Sequence, residues 1–199
     1  MTQDLIEIPD FKSYIPLALR TESIERPAEN WQSHIPLTLY RVNHALTGLI
    51  TEISELLEAF KADTVDYVLV AEELGDAWWY MAILADVFDF DTLDVPAADQ
   101  RRSLLIVAEV VEHAGAAFDV VKRRIYYNAD DTSKKASWGI VEEKAMLISS
   151  LLCTLSGNNL PIIWQRNIAK LAKRYPDKFS SEKALNRDLD AERQALEGN

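Results

Sequence analysis

The chain has 199 residues, 48% of them hydrophobic and 27% charged, which suits a globular protein with room for one compact domain or a duplicated pair of half-domains. With 21 Lys and Arg against 32 Asp and Glu, its formal charge of -11 repels a phosphate backbone and argues against nucleic-acid binding. A lone cysteine, Cys153, excludes an intrachain disulfide framework. The start MTQDLIEIPDF lacks a basic, apolar leader and no uninterrupted apolar run reaches about 18 residues, so the expectation is a soluble cytoplasmic protein with no membrane partner.

Residues 1–38 carry Pro9, Pro16, Pro27 and Pro36 among polar residues, which predicts an irregular arm or short helical turns. From Leu39 onward Val42, Ala45, Leu46, Leu49, Ile53, Leu56 and Phe60 recur at three- and four-residue intervals, predicting a helix over about 38–61. A second helix, about 66–90, carries Leu69, Tyr80, Ile83 and Val87 on one side and ends among Asp89, Asp91 and Asp94 before Pro96. Further helices are predicted at about 98–127, 138–156 and 160–174, with a polar loop at 128–137 and Pro161 in the first turn of the last. The segment SSEKALNRDLDAERQALEG reads as one charged helix with a capping start at Ser180 or Ser181. No strand alternation occurs, so the fold class is all-α, a single domain over 1–199. A weak internal echo pairs 51–61 with 108–122 and 71–84 with 141–152, with Met146 where the first copy has Asp76; the region 95–160 reads as an inserted or duplicated helical pair, convergent helix composition being the alternative.

The carboxylates carry the chemistry. At about 100° per residue, Glu52 falls at the edge of the apolar arc of its helix, Glu55 one step further round, and Glu58 points away. On the next helix Glu73 and Asp76 fall inside the apolar stripe, with Glu72 at its margin. Buried carboxylates must be neutralised by basic side chains, by protons or by cations. The pairs Glu52/Glu55 and Glu73/Asp76 form a cluster of hard oxygen donors suited to Mg²⁺ or Mn²⁺. Removing Glu73 or Asp76 is expected to relieve repulsion and to leave the fold intact.

Glu52-x-x-Glu55, a spacer, then Glu73-x-x-Asp76, within HALTGLITEISELLEAFK and EELGDAWWYMAILAD, resembles the signature of the all-α nucleoside triphosphate pyrophosphohydrolases: MazG, the HisE-type phosphoribosyl-ATP pyrophosphatases and the dimeric dUTPases. NIAKLAKRYPDKFSSEKALNRDLDAERQALE is similar to phage and bacterial MazG-like proteins as well. The resemblance covers about 40–90 and 165–197, and 95–160 departs from the short family members. It implies a four-helix-bundle core with an additional helical pair. It also implies Mg²⁺-dependent cleavage of a nucleoside triphosphate to the monophosphate and pyrophosphate, with a purine dNTP such as dGTP or dATP as substrate and dUTP or dCTP as the competing reading. Glu52, Glu55, Glu73 and Asp76 are then the catalytic metal ligands, with Glu52 taking the proton of the attacking water. Asn167, Lys170, Arg174 and Tyr175 fall in the phosphate-contacting segment, Lys170 and Arg174 being an i,i+4 pair; a solvated helix face is the alternative. Trp79 is a base-stacking candidate or a core residue, Trp31 a lid over the nucleotide, and His44 a packing residue. Homodimers or homotetramers follow from the same resemblance, in a bacterial or phage-infected cytoplasm. A noncatalytic helical interaction module stays open; a di-iron bundle is disfavoured because no Glu-x-x-His pair accompanies these acids.

Overall fold

The computed structural model describes residues 6–24, 35–93 and 103–197. Among the described residues every regular element is helical and none is a strand. The helices are α1 (Phe11–Leu19), α2 (Leu37–Lys61), α3 (Tyr67–Phe88), α4 (Ser103–Tyr126), α5 (Trp138–Ser156), α6 (Leu160–Arg174), α7 (Ser181–Leu185) and α8 (Leu189–Glu197), with a 3-10 turn at Gly157–Asn159 between α5 and α6. Local chemistry sets several ends. Asp66 accepts from the Val68 amide at 2.9 Å to start α3, Ser137 accepts from Gly139 to start α5, and α3 stops at Asp89, which is left-handed with φ 57°.

The predicted helices at 38–61, 66–90, 138–156 and 160–174 are present within a residue or two of those bounds. Two expectations are corrected. The arm contains a real helix: Asp10 caps α1 through the Ser13 amide at 2.8 Å, and Phe11, Tyr14 and Ala18 are buried. A helix this short is unstable alone, so its packing holds it. The charged C-terminal segment is two helices, α7 and α8, because Asn186 and Asp188 cap them from opposite sides of Arg187.

The helices α2, α3, α5 and α4 touch in a closed ring, and α1 and α6 pack on the side of α3 away from α4. α3 is therefore covered on most of its circumference. Leu74, Ala77, Trp78, Met81, Ile83 and Leu84 are buried, whereas Leu69, Tyr80 and Val87 of the expected stripe are only partly so. An aromatic cluster joins α1, α3 and α6: Phe11 meets Trp78 at 5.2 Å, Tyr14 meets Trp164 at 5.5 Å, and Trp78 meets Trp164 edge-on at 5.6 Å. The helical run 138–174 contains an 18-residue window whose mean hydropathy (1.4) meets that of a membrane-crossing helix by composition alone; within the run α5 buries Val141, Ala145, Ile148 and Leu152.

Phe11→Ala is expected to cost about 3–5 kcal/mol, since it removes a fully buried ring from that cluster. Urea denaturation measures it, and a loss below about 1 kcal/mol contradicts the docking of α1.

Candidate functional site

A short link turns α2 back along α3, which puts Glu55 beside Glu73 and Gly48 beside Tyr80. A cleft of about 390 Å³ opens between this hairpin, α6 and the C-terminal segment, with Glu52, Glu55, Glu72, Glu73 and Asp76 on one wall and Arg174 and Arg187 on another. Carboxylate oxygens of Glu52, Glu55 and Glu73 all lie within 4.8 Å of one another. Glu73 is 4% exposed, Glu52 half-buried and Glu55 exposed. Glu58 faces solvent as expected.

No Lys or Arg among the described residues forms an ion pair with these three acids. Burial, then the charges of Asp76 and Glu55, push Glu52 up to about 7 and Glu73 to about 9. Without a cation the cluster holds protons. The donor set is all carboxylate oxygen, converging and uncompensated, which fits a hard divalent cation.

Asp76 behaves differently. Its oxygens accept from Asn167 Nδ2 at 2.7 Å and Lys170 Nζ at 2.5 Å, and Lys170 also donates to Glu72 at 3.2 Å. The Lys170 side chain has no exposed surface. Burial works against its charge, but Asp76 and Glu72 outweigh that and raise its pKa above the ordinary lysine value. Lys170 and Asn167 thus stand behind Asp76 and do not line the cleft, a correction to their placement as direct phosphate contacts. Asn167 in turn accepts from the Tyr14 hydroxyl at 2.8 Å. α6 comes this close because Gly75 has no side chain: a Cβ there would sit 3.0 Å from Asn167 Cβ. The expectation that removing Asp76 merely relieves repulsion is also corrected, because Asp76 is the principal partner of a buried ammonium.

Arg174, Tyr175 and Trp79 line the cleft as expected. Arg174 is fixed by Glu192, with Nε at 2.8 Å and Nη2 at 2.6 Å. Trp79 donates its Nε1 to Ala18 O and Thr21 Oγ1, both at 2.9 Å, so the end of α1 sets the indole. Its ring meets Tyr80 and His44 edge-on at 4.9 and 5.9 Å. Tyr80 lies over Gly48, where a Cβ would be 1.9 Å from its Cζ. His44 also lines the cleft, with Nδ1 buried and unpartnered. Trp31 lies outside the described residues. Sequence reasoning missed Glu72 and Tyr80 as cleft residues, and it missed Arg187 and Glu192 altogether; the one available signal for Arg187 was the Asn-x-Asp break that splits the last helix.

Comparison with protein-family models, with curated proteins and with solved structures found no match to this chain.

Opposite outcomes are expected at two neighbouring acids. Asp76→Ala strands Lys170 and should cost about 3–5 kcal/mol, whereas Glu73→Gln copies a carboxyl already protonated near neutrality and should change stability by less than about 1 kcal/mol. Equal losses in denaturant titrations contradict the division of the acids. A pH effect follows as well. Glu52 and Glu73 bind protons more tightly folded than unfolded, so the stability they permit is complete below the ordinary value of 4.5 and is lost as pH rises through about 7 and about 9. Mg²⁺ or Mn²⁺ should therefore raise the melting temperature more at about pH 8.5 than at about pH 6. A shift that is absent, or equal at both, refutes cation binding here.

Proposed function

We propose that the chain is a divalent-metal-dependent pyrophosphohydrolase that converts a nucleoside triphosphate to the monophosphate and pyrophosphate. The observation that carries this reading is the convergence of Glu52, Glu55 and Glu73 without basic partners, facing Arg174 across one cleft. The motif resemblance supplies the reaction class, and the ring of α2, α3, α5 and α4 supports a four-helix-bundle core of the all-α pyrophosphatase type.

Glu52, Glu55 and Glu73 hold the metal, with Asp76 beside them as the fourth acid. Bound there, Mg²⁺ supplies charge neutralisation for the polyphosphate and acidifies a water. Glu52, half-buried at the edge of the cluster, would serve as the general base toward the attacking water. Lys170 and Asn167 keep Asp76 oriented. Arg174, held by Glu192, presents its guanidinium to phosphate oxygens. Trp79 and Tyr80 wall the part of the cleft that would receive the base and sugar. A purine dNTP such as dGTP or dATP is our first choice of substrate, and dUTP is the main competitor. Exposed Leu105, Val111, Met146 and Leu147 on α4 and α5 support assembly as a homodimer or homotetramer.

Incubation with each common dNTP and NTP, with Mg²⁺ or with chelator, followed by chromatography, tests the class. Monophosphate and pyrophosphate are expected from one or a few substrates, only with metal, and Glu73→Gln should lower turnover by about 100-fold or more. A Glu73→Gln variant that turns over undiminished removes the site assignment.

A further inference from the structure

Arg187 has no part in the function proposed above, yet the chain fixes it with care. It sits alone between α7 and α8. On one side the Asn186 side chain donates to Glu182 O at 3.0 Å and closes α7; on the other, Asp188 accepts from the Ala191 amide at 3.1 Å and opens α8. Both neighbours are thereby spent on capping, and the link has little freedom left. One turn into α8, Glu192 Oε2 accepts from Arg187 Nη2 at 2.7 Å and from its Nε at 3.2 Å. The same carboxylate also takes Arg174 through a two-pronged contact.

Glu192 is one anion serving two guanidiniums. Its side chain is 3% exposed, and although burial opposes its charge, the Arg174 and Arg187 hydrogen bonds hold its carboxyl down at about 2. Each arginine reaches it through Nε and Nη2, and the Nη1 of each takes part in neither contact. The next acid, Glu72, lies 3.9 Å from Arg187 Nη2, but Glu72 is already shared with Lys170. Arg187 keeps 38% of its side chain exposed and lines the cleft with Arg174, across from Glu52, Glu55 and Glu73. In a chain of net charge -11, two adjacent forks on a single shared carboxylate make a place for an anion. The Nη1 end of each guanidinium remains to meet phosphate oxygens, and two such ends side by side suit a group carrying two phosphates.

We infer that Arg187 is a ligand-contacting residue which, with Arg174, clamps a pyrophosphate group in the cleft. That the group is the terminal part of a nucleoside triphosphate rests on the hydrolase reading above; the anion site itself does not. The competing account is a purely structural tie that pins α7 and α8 to α6.

Calorimetric titration of the full chain with inorganic pyrophosphate, in Mg²⁺, separates these. Arg187→Gln is expected to weaken pyrophosphate binding about 10- to 100-fold, the usual weight of a charged hydrogen-bonding contact. Arg187→Lys should restore part of that loss, because it returns the charge without the fork. Binding of Mn²⁺ alone, followed by its paramagnetic resonance signal, should be unchanged in both variants. A structural tie predicts the reverse pattern: a lowered melting temperature with pyrophosphate affinity within about twofold of the parent, and that result overturns the clamp. Pyrophosphate binding requires no turnover. A chain that binds it through Arg187 but hydrolyses no nucleotide refutes the hydrolase reading alone, and nucleotide hydrolysis undiminished in Arg187→Gln refutes the clamp alone.

Discussion

The ammonium of Lys170, enclosed between Asp76 and Glu72, is the interaction on which the cleft depends. It fixes α6 against α3 at one register, and every other contribution of α6 follows from that register. Asn167, one turn earlier, reaches the other oxygen of Asp76; Arg174, one turn later, emerges into the cleft. The pair is costly to desolvate, and apolar residues could hold the two helices together at least as well. What they could not do is hold the Asp76 side chain at fixed orientation on the floor of a cleft. The lysine is thus better understood through the site than through stability.

The acids of EELGD and its partner motif on α2 fall into two groups by compensation. Asp76 and Glu72 have Lys170. Glu52, Glu55 and Glu73 have one another, and the proton affinities of Glu52 and Glu73 rise, through burial first and then the neighbouring acids. The same division recurs on the cationic side, where Arg174 and Arg187 share one carboxylate. α1 serves both halves through its two ends: Tyr14 braces Asn167 behind the acids, while Ala18 and the adjoining Thr21 hold the Trp79 indole at the aromatic end. An element only nine residues long therefore couples the hydrophobic core to both walls.

Much of this was legible in the sequence. The long helices follow from three- and four-residue apolar spacing, and the acidic cluster from its phase against that spacing. Three features were not. The apolar stripe of α3 was drawn too narrow, because a helix covered on most of its circumference has weak amphipathic contrast, and Trp78 and Leu74 were lost in it. Lys170 read as a phosphate contact or part of a solvated face because an i,i+4 pair with Arg174 carries no information about depth; its partners, Glu72 and Asp76, are about 95 residues away. The last helix read as continuous because Asn186, Arg187 and Asp188 are all tolerated in a helix, and only the competing side-chain caps decide for two.

The second hairpin shows why motif spacing alone does not build a site. α4 and α5 echo α2 and α3 in sequence and pair in the same way within the ring, and α5 carries Glu142 and Glu143 at positions matching Glu72 and Glu73. Both are exposed, and Glu143 is paired with its neighbour Lys144 at 2.7 Å. Met146, at the position of Asp76, is 47% exposed. The difference lies in what covers the helix. α3 has α6 laid along its acidic face, close enough through Gly75 to bring a buried lysine; the corresponding face of α5, with Glu142, Glu143 and Met146, is exposed among the described residues. Charges open to solvent are screened and exert little field. Spacing supplies the donors, and a covering helix with one buried cation turns them into a site.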